Sequence, residues 1–546
     1  MRFLLLLAIF ASTQVSYSHC REELQGQDLL VSMPRSRSRS SVIKKPYDQS
    51  TEDPLIARAR DLHITEDFKT LADLIPREIS DELRQKLESK AERKFPGVEN
   101  EKARVSYLIA ALYKREKPLK TADPKHLGGI RKVTGHSLRR RAFFYTERMW
   151  KNLWKETPKE TSNSLIPVPH PFFIAGQRFM ESYYWDSYFG LQGLLATGRR
   201  KVAKMQIDNF LYLIKNYGLI PNGIRTYYLS RSQPPMISSM VVDYMKSLPR
   251  ITAKDKAWAA DALNALEKDY SQFWMKDGER YISETGLNRH WDKVDQERPE
   301  RWGEDDDSKL GETYRDVRAE AESGKDFTGA FKGEITKHNP VMLNSILYKY
   351  ERDLVYLHNL VGNPAGVRKY EAAAKKRYDT FNKILWDKKR GNYFDYNFET
   401  GQHADMLTAD VYAALWAGLV PPERMQAFNE SAQALHGKGG IVSSAKPTGK
   451  QWDAPYAWAP HQFFAIQGLM QSGQTEAAKG IASQWTGAIE KVYDETGFMY
   501  EKLDGVNGDL PVDKSGKYPN QKGFLWTNAV YVWTLKNVFN ETISEP

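Results

Sequence analysis

Two stretches of this sequence combine charged and aromatic side chains in a way that favours carbohydrate chemistry. Residues 177–188, QRFMESYYWDSY, place one arginine and two acidic residues among five aromatic ones. Residues 451–460, QWDAPYAWAP, repeat the combination far along the chain. Buried charges are costly unless they have partners, but a sugar site uses them to hold hydroxyl groups while aromatic faces cover the ring. The two stretches therefore predict a sugar-binding site.

Hydrolysis of a glycosidic bond needs two carboxyl groups, one to protonate the leaving oxygen and one to activate water or attack the sugar. Further clusters of acidic, basic and aromatic residues occur in segments that read as loops: 221–235, 298–305, 322–327, 500–502 and 516–528. Each cluster alone is equally typical of a solvated turn, an exposed helix pair or a core aromatic. Only their combination indicates a catalytic site.

The elements that must position these residues are predicted to be helices. Apolar residues recur three and four positions apart in these segments: 80–90, 101–113, 141–154, 202–214, 343–360, 474–493 and 527–539. Ser80 is the expected cap of the first helix, and Gly497 follows the expected end of a later one. One short strand is predicted over 393–396, and a loop over 162–171. The pattern predicts an all-α fold with long loops.

The N-terminus is typical of a secretory signal. Arg2 precedes an apolar run over 3–11, and residues 16–18 offer a cleavage site with small residues. Residues 1–18 are therefore predicted to be a signal peptide, and the protein to be exported to the periplasm or the medium. Cys20 is the only cysteine, which excludes an internal disulfide. Lipid attachment at Cys20 is the less favoured alternative, because the bulky His19 precedes it.

Composition argues against several other classes. Much of the basic excess behind the net charge of +10 lies in residues 35–45, within a segment, 19–60, that is predicted to be a mobile basic lead-in. A solvated tail of this kind does not predict nucleic-acid binding. No stretch is long and apolar enough to insert stably in a membrane. The histidines show no metal-like spacing, and no glycine-rich phosphate loop occurs, so neither a metal nor a cofactor is expected.

Taken in order, these motifs resemble those of the trehalases, glycoside hydrolase family 37. Residues 178–188 are similar to the first signature of the family and residues 451–460 to the second. Smaller matches are found at 164–171, 221–235, 298–300, 322–327 and 523–528, and residues 67–73 are similar to an N-terminal segment of the family. The resemblance spans roughly residues 61–540.

The resemblance implies a single (α/α)6 toroid over residues 61–546, with the active site where the loops of the inner helices meet. It also implies cleavage of α,α-trehalose to two glucose molecules with inversion at the anomeric carbon, without metal or cofactor. The expected partner is a small disaccharide, and a monomer is expected.

Residue roles follow from the same resemblance. Asp326 occupies the position of the general acid and Glu501 that of the general base. Such an acid must stay protonated near neutral pH, which requires burial or a neighbouring negative charge. The matching substrate contacts are Arg178, Trp185, Asp186, Asn222, Arg231, Ser232, Gln233, Arg298, Glu300, Gly324 and Trp452, with Lys517 at a further contact position.

Departures from the family pattern concern the second sugar subsite. Lys325 replaces a tryptophan before the acid, Lys517 replaces a glutamate, Ile224 replaces an asparagine, and residues 456–457 replace Asn-Gly. Three functions therefore remain open. They are a trehalase, a related α-glucosidase whose anionic leaving group pairs with Lys517 or Lys325, and a sugar-binding relative without catalysis.

Overall fold

The computed structural model describes residues 54–62, 64, 69, 72–77, 79–114, 118–158, 164–301, 313–512 and 519–544. The predicted signal peptide, most of the predicted basic lead-in, Cys20 and Lys517 lie outside these residues.

Helices in this part of the chain alternate between an outer and an inner position. The outer helices are Ser137–Leu153, Arg200–Tyr217, Ala253–Asp269, Pro364–Ile384, Met425–Ala432 and Thr475–Thr496. The inner helices are Tyr184–Ala196, Ile237–Ser247, Val341–Val361, Val411–Ala417, Ala459–Gln471 and Leu525–Asn537. Each inner helix packs against the next, and the last packs against the first. The predicted (α/α)6 barrel is confirmed.

The inner helices are buried because their sequences are apolar around most of their circumference. In Tyr184–Ala196, every residue from Tyr184 to Leu194 is buried, and in Leu525–Asn537 burial extends from Leu525 to Leu535. Gly193 allows these two helices to close the ring, since a Cβ atom there would lie 2.8 Å from Cα of Ala529.

Two helix ends that the sequence indicates are set by capping residues. The Oγ atom of Ser80 accepts a hydrogen bond of 3.2 Å from the amide of Leu83, at the start of helix Asp81–Lys94. Helix Thr475–Thr496 ends at Gly497, whose φ of 77° lies in the left-handed region that favours glycine. Both predicted helix boundaries are confirmed.

Among the described residues before the barrel, the α-helices are Pro54–Asp61, Asp81–Lys94 and Glu101–Leu112. They pack against one another around small apolar clusters of their own, which include Ala59 and Val105. Residues 54–60 of the predicted lead-in over 19–60 belong to helix Pro54–Asp61, in which Ile56 and Ala59 are buried. No helix in the described ranges has the length and apolarity of a membrane span.

Short antiparallel strand pairs and single turns connect the helices. The strands are Ile75–Pro76, Tyr113–Lys114, Lys132–Val133, Trp154–Lys155, Phe172–Phe173, Tyr281–Ile282, Leu287–Asn288, His338–Asn339, Trp386–Asp387, Asn392–Tyr393, Tyr396–Asn397, Gln402–His403, His436–Gly437, Gly440–Ile441, Tyr456–Trp458, Lys502–Asp504 and Ile543–Ser544. A further α-helix is Tyr314–Glu322, and a π-helical turn spans Tyr270–Trp274. The 3-10 turns are Val98–Asn100, Pro124–Leu127, Thr226–Tyr228, Pro299–Arg301, Ile335–Lys337, Pro422–Arg424 and Gln433–Leu435.

The single strand predicted over 393–396 is wrong. Asn392–Tyr393 pairs with Trp386–Asp387, whereas Tyr396–Asn397 pairs with His338–Asn339 and Gln402–His403. The chain changes partners between them because the Asp395 carboxylate accepts a hydrogen bond of 2.7 Å from the amide of Val341.

One strand pair bears directly on the site. Tyr456–Trp458 lies antiparallel to Lys502–Asp504, with Trp458 opposite Lys502. This pairing brings the second aromatic stretch next to the loop that carries Glu501.

Candidate active site

A cavity lies at the amino-terminal ends of the inner helices. Its lining residues are Ala175, Phe179, Tyr183, Trp185, Asp186, Gln233, Gly324, Asp326, Gln451, Trp452, Trp458, Glu501, Phe524 and Trp526. The structure thus brings both sequence stretches and both candidate catalytic carboxyls to one place. Of the predicted substrate contacts, Trp185, Asp186, Gln233, Gly324 and Trp452 line this cavity.

Tryptophan side chains form much of the cavity wall. Trp452 and Trp458 are stacked, with ring centroids 4.1 Å apart and planes 6° apart. Trp526 meets Trp185 edge to face at 5.9 Å. The Trp458 indole nitrogen donates to the carbonyl oxygen of Gln451 at 2.9 Å. Such a rigid aromatic wall can cover the apolar face of a sugar ring.

Asp326 lies on the loop that follows helix Tyr314–Glu322, and 34% of its side chain is exposed. Nη1 of Arg298 donates to Oδ2 of Asp326 at 3.2 Å. The side-chain amide of Gln451 donates to the carbonyl oxygen of Asp326 at 2.5 Å. The main chain of Asp326 is therefore tied to the second sequence stretch, and its carboxyl faces the cavity.

Glu501 is buried, and its main chain is fixed from both directions. Its amide donates to the carbonyl oxygen of Gln521 at 2.8 Å. Its carbonyl oxygen accepts from the indole nitrogen of Trp526 at 2.9 Å and from the hydroxyl of Thr527 at 3.3 Å. The first turn of the last inner helix thereby positions this carboxyl at the cavity.

Asp186 is the third carboxyl of the cavity, in the first turn of inner helix Tyr184–Ala196. Burial raises the pKa of Asp186 well above its ordinary value, and the negative charges of Glu501 and Asp326 raise it further. Three acidic side chains that influence one another must share a small space. The raised pKa favours the neutral form of Asp186, which can donate a hydrogen bond.

Gly324 and Gln233 set the position of Trp185. A Cβ atom on Gly324 would lie 2.7 Å from the Trp185 ring, and the φ of Gly324 is +76°. The side-chain oxygen of Gln233 accepts a hydrogen bond of 3.1 Å from the amide of Trp185. Both residues line the cavity and also support the aromatic wall.

Several predicted contacts lie outside the cavity lining. The side-chain amide of Asn222 donates to the carbonyl oxygens of Ser232 at 3.2 Å and Ala321 at 3.1 Å. The hydroxyl of Ser232 donates to the carbonyl oxygen of Ile220 at 2.6 Å. The structure does not bring these two side chains to the cavity wall, because the loops use their polar atoms to hold one another.

The predicted arginine and glutamate contacts form a layer beside the cavity. Nη2 of Arg231 donates to Oε1 of Glu300 at 2.5 Å, and both side chains are buried. Arg298 reaches the cavity through Asp326. The amide of Arg178 donates to the side-chain oxygen of Gln521 at 3.3 Å, and Arg178 is partly exposed.

Lys325 does not line the cavity. Its Nζ atom forms an ion pair with Asp410, and 3% of the Lys325 side chain is exposed. The hypothesis that Lys325 pairs with an anionic leaving group is therefore wrong, since the cation is neutralised inside the protein. Lys517, the other residue of that hypothesis, lies outside the described residues.

A buried charge network supports the first sequence stretch from behind. Oε1 of Glu181 lies 2.8 Å from Nζ of Lys69, and Oε2 accepts from Nε of Arg225 at 3.0 Å. The hydroxyl of Tyr183, a residue of the cavity lining, donates to Oε1 of Glu181 at 2.7 Å. Burial alone would raise the pKa of Glu181, but the two cations hold it at about 2. Lys69, from the stretch that resembles the N-terminal segment of the family, thus contributes to the site.

The residue-level prediction missed seven residues of the lining: Ala175, Phe179, Tyr183, Gln451, Trp458, Phe524 and Trp526. All but Ala175 stand in clusters that the sequence analysis singled out, and for five of them aromatic character was the available signal. Nothing in the clusters indicated which rings would face the cavity. Over the described ranges, no group of three or more His, Cys, Asp and Glu residues could hold a metal ion.

Comparisons with known proteins agree with this geometry. The trehalase family model matches residues 58–539. The chain belongs to the trehalase family. It is 34% identical over 420 residues to a periplasmic trehalase of Xanthomonas campestris pv. campestris (strain 8004), covering 72% of this chain and 72% of that trehalase. It is 35% identical over 401 residues to a periplasmic trehalase of Xanthomonas oryzae pv. oryzae (strain MAFF 311018), covering 68% and 69%.

A solved trehalase structure shares the fold. The neutral trehalase Nth1 from Saccharomyces cerevisiae superimposes with a TM-score of 0.60 at 29% identity, covering 67% of this chain and 73% of the yeast chain.

Proposed function

We propose that this trehalase-family protein is an inverting hydrolase that cleaves α,α-trehalose to two glucose molecules. The observation that supports this function best is the meeting of Asp326, Glu501 and Asp186 in one tryptophan-walled cavity. The match of the trehalase family model over residues 58–539 supports the choice of substrate.

In the proposed reaction, Asp326 is the general acid and Glu501 the general base. The proton of the Asp326 carboxyl passes to the glycosidic oxygen while the bond from that oxygen to the anomeric carbon breaks. Water attacks the anomeric carbon from the opposite face and gives its proton to the Glu501 carboxylate. Bound substrate excludes water from the acid, and exclusion of water favours a neutral acid over a carboxylate. An inverting site needs about 6.5–9.5 Å between the two carboxyls.

The surrounding residues are proposed to hold the substrate. Trp185 and Trp452 cover one glucose ring, and neutral Asp186 donates a hydrogen bond to one of its hydroxyl groups. The other proposed contacts hold the leaving glucose, or hold the residues that surround the leaving glucose. They are Arg178, Asn222, Arg231, Ser232, Arg298 and Glu300, which lie beside the cavity, and Lys517, which lies outside the described residues. Gln233 and Gly324 fix the position of Trp185.

The protein is further proposed to be exported, to the periplasm or the medium. The predicted signal over residues 1–18 supports this location, as do the names of the two bacterial relatives. The catalytic domain is proposed to span residues 61–546 and to act as a monomer without cofactor.

Turnover of trehalose by the purified protein tests this proposal. Asp326→Asn and Glu501→Gln should each lower kcat by about 10²–10⁴-fold, the usual contribution of a general acid or base. Asp405→Asn is the matched control, because Asp405 is a 74% exposed carboxyl paired with Lys332. Failure of the unmodified protein to release glucose from trehalose would overturn the function. A loss of less than tenfold in either active-site variant would overturn the assigned role.

A further inference from the structure

Lys325, immediately before the proposed acid, is anchored to the ring of inner helices. Its Nζ atom pairs with Oδ2 of Asp410, the residue before inner helix Val411–Ala417. The two side chains are 3% and 0% exposed. An ion pair this deeply buried restrains both partners, because neither can be released without leaving an uncompensated charge in the interior.

The surroundings of Lys325 are acidic. Asp410, Asp395 and Asp453 all raise the pKa of Lys325 against the effect of its burial. His461 faces the same group, with Nε2 lying 3.4 Å from Oδ1 of Asp410. The carboxylates of Asp395 and Asp453 accept hydrogen bonds from the main chain, from Val341 and Gly329 respectively. Lys325 thus supplies the positive charge that balances these carboxylates. They lie beneath the loop that carries Asp326, which is called the acid loop below.

Hydrogen bonds also hold the main chain of this loop on both sides of Asp326. The amide of Lys325 donates to the hydroxyl oxygen of Ser323 at 3.1 Å. The carbonyl oxygen of Phe327 accepts from the amide of Trp452 at 3.0 Å. The amide of Thr328 donates to Oε1 of Glu320 at 2.7 Å, and its hydroxyl donates to Oδ1 of Asp453 at 2.6 Å. On the other side of Asp326, Gly324 lines the cavity with a φ of +76°. The side chain of Lys325 therefore supplies, on the amino-terminal side of the acid, an anchor to the ring of inner helices.

The same cluster also contacts the aromatic wall. The ring of His461 meets Trp452 edge to face, with centroids 5.6 Å apart and planes 85° apart. Asp410 therefore lies between the cation that holds the acid loop and a histidine that packs on the sugar-facing tryptophan.

We propose that Lys325 is a positioning residue, whose ion pair with Asp410 holds the carboxyl of Asp326 in line with the bond to be broken. This inference rests on the proposed function, in which Asp326 is the acid. Misplacement of a catalytic group by about 1 Å can lower a rate about 10²-fold. Since positioning of the acid matters most in the transition state, the loss should appear in kcat more than in KM.

A double-mutant cycle tests the pair. Lys325→Met, Asp410→Asn and the double variant are assayed on trehalose at 25 °C, with the melting temperature of each measured in parallel. Each single variant should lose at least fivefold in kcat, with a smaller change in KM. Because the two side chains act as one unit, the double variant should lie within threefold of the worse single variant.

The exposed pair Lys332–Asp405 provides matched controls. Lys332 and Asp405 are 71% and 74% exposed and lie outside the cavity lining. Lys332→Met and Asp405→Asn make the same chemical changes as the test variants and should keep kcat within twofold.

Each result decides between the alternatives. A lower melting temperature with a kcat loss below fivefold means that the pair is only structural, and overturns the inference. A double variant whose loss is the product of the two single losses also overturns it. If Lys325→Met does not fold, the double variant, which removes both charges of the ion pair at once, carries the test with the same fivefold threshold. Absence of turnover in the unmodified protein would instead overturn the proposed function.

Discussion

At the scale of single residues, the cavity is lined by three carboxyls, those of Asp186, Asp326 and Glu501, whose surroundings differ. Asp326 is partly exposed and contacts Arg298, and the main chain of Glu501 is fixed by Trp526. Burial raises the pKa of Asp186, and the negative charges of Glu501 and Asp326 raise it further. The three carboxyls thus face one cavity from different surroundings.

Asp186 should give the stability of the protein a characteristic pH dependence. Its carboxyl ionises freely in the unfolded chain above about pH 4, whereas burial raises its pKa in the folded state. The free energy of unfolding therefore loses a contribution as the pH rises from about 4 toward the raised pKa. Asp186→Asn lacks this titration. Its melting temperature minus that of the unmodified protein should increase from pH 5 to pH 8.

Thermal unfolding scans across that range measure the difference. A hydrogen bond that asparagine makes or loses changes the melting temperature by the same amount at pH 5 and at pH 8. Only the change of the melting-temperature difference with pH is therefore diagnostic. A flat or falling difference would contradict the assignment of a neutral Asp186.

Gly324→Ala should disturb the aromatic wall. The added methyl would lie 2.7 Å from the Trp185 ring, at a backbone φ of +76°. A strained backbone of this kind costs of order 1–3 kcal/mol, and displacement of Trp185 should also raise KM for trehalose. Urea unfolding and steady-state kinetics measure the two effects.

Gly480→Ala is the matched control, because Gly480 lies on outer helix Thr475–Thr496 with no atom within 4 Å of the added methyl. There alanine should stabilise the protein by roughly 0.5–1 kcal/mol. Equal effects at the two glycines would contradict the role given to Gly324.

At the scale of elements, buried Lys69 and its neighbour Asp73, which accepts a hydrogen bond of 2.9 Å from the hydroxyl of Tyr227, join the N-terminal segment to the site. Lys69 pairs with Asp73 and with Glu181, and its Nζ atom also donates to the hydroxyl of Tyr227 at 3.1 Å. Glu181 in turn accepts from Tyr183 of the cavity lining. The segment before the barrel therefore helps to fix the loop that precedes inner helix Tyr184–Ala196.

Lys69→Met should destabilise this connection. Removal of one partner from a buried ion pair costs 3–5 kcal/mol, but Glu181 keeps Arg225, so we expect a loss of about 2 kcal/mol in the free energy of unfolding. Amide hydrogen exchange in helices Asp81–Lys94 and Glu101–Leu112 should accelerate at the same time. Lys86→Met, which removes an exposed pair with Glu82, should change stability by less than about 0.5 kcal/mol. Similar results for both lysines would contradict the network.

Helix periodicity and helix caps could be predicted from the sequence because they depend on residues that are close together in the chain. Ser80 and Gly497 mark helix ends through contacts within a few residues, and both are found where predicted. The partners of Lys325 and Asn222 were not readable, because Asp410 lies 85 residues from Lys325 and Ala321 lies 99 from Asn222. Residue type and motif position identified the site loops. Which side chains face the cavity depends on how those loops pack against one another.

At the scale of the whole molecule, the closed ring of inner helices brings distant parts of the chain together at the site. The cavity lining begins at Ala175 and ends at Trp526, and the first and last inner helices meet at Gly193 and Ala529. A ligand in the cavity contacts loops from several inner helices at once. Its binding should therefore stabilise the barrel as one unit.

Asp326→Asn, which should bind trehalose without cleaving it, allows this to be measured. At 100 times the dissociation constant, trehalose should stabilise the variant by about 2.7 kcal/mol and raise its single melting temperature. Maltose at the same concentration is the control for general sugar effects. Equal stabilisation by the two disaccharides would contradict a site that is specific for trehalose.

The stereochemistry of the first products tests the central claim most directly, since it reports whether water attacks opposite the leaving group. Proton NMR should follow trehalose hydrolysis at high enzyme concentration, before the released glucose mutarotates. Activation of water by Glu501 while Asp326 protonates the glycosidic oxygen predicts equal initial amounts of α-glucose and β-glucose. Initial formation of α-glucose alone would show retention and contradict the account.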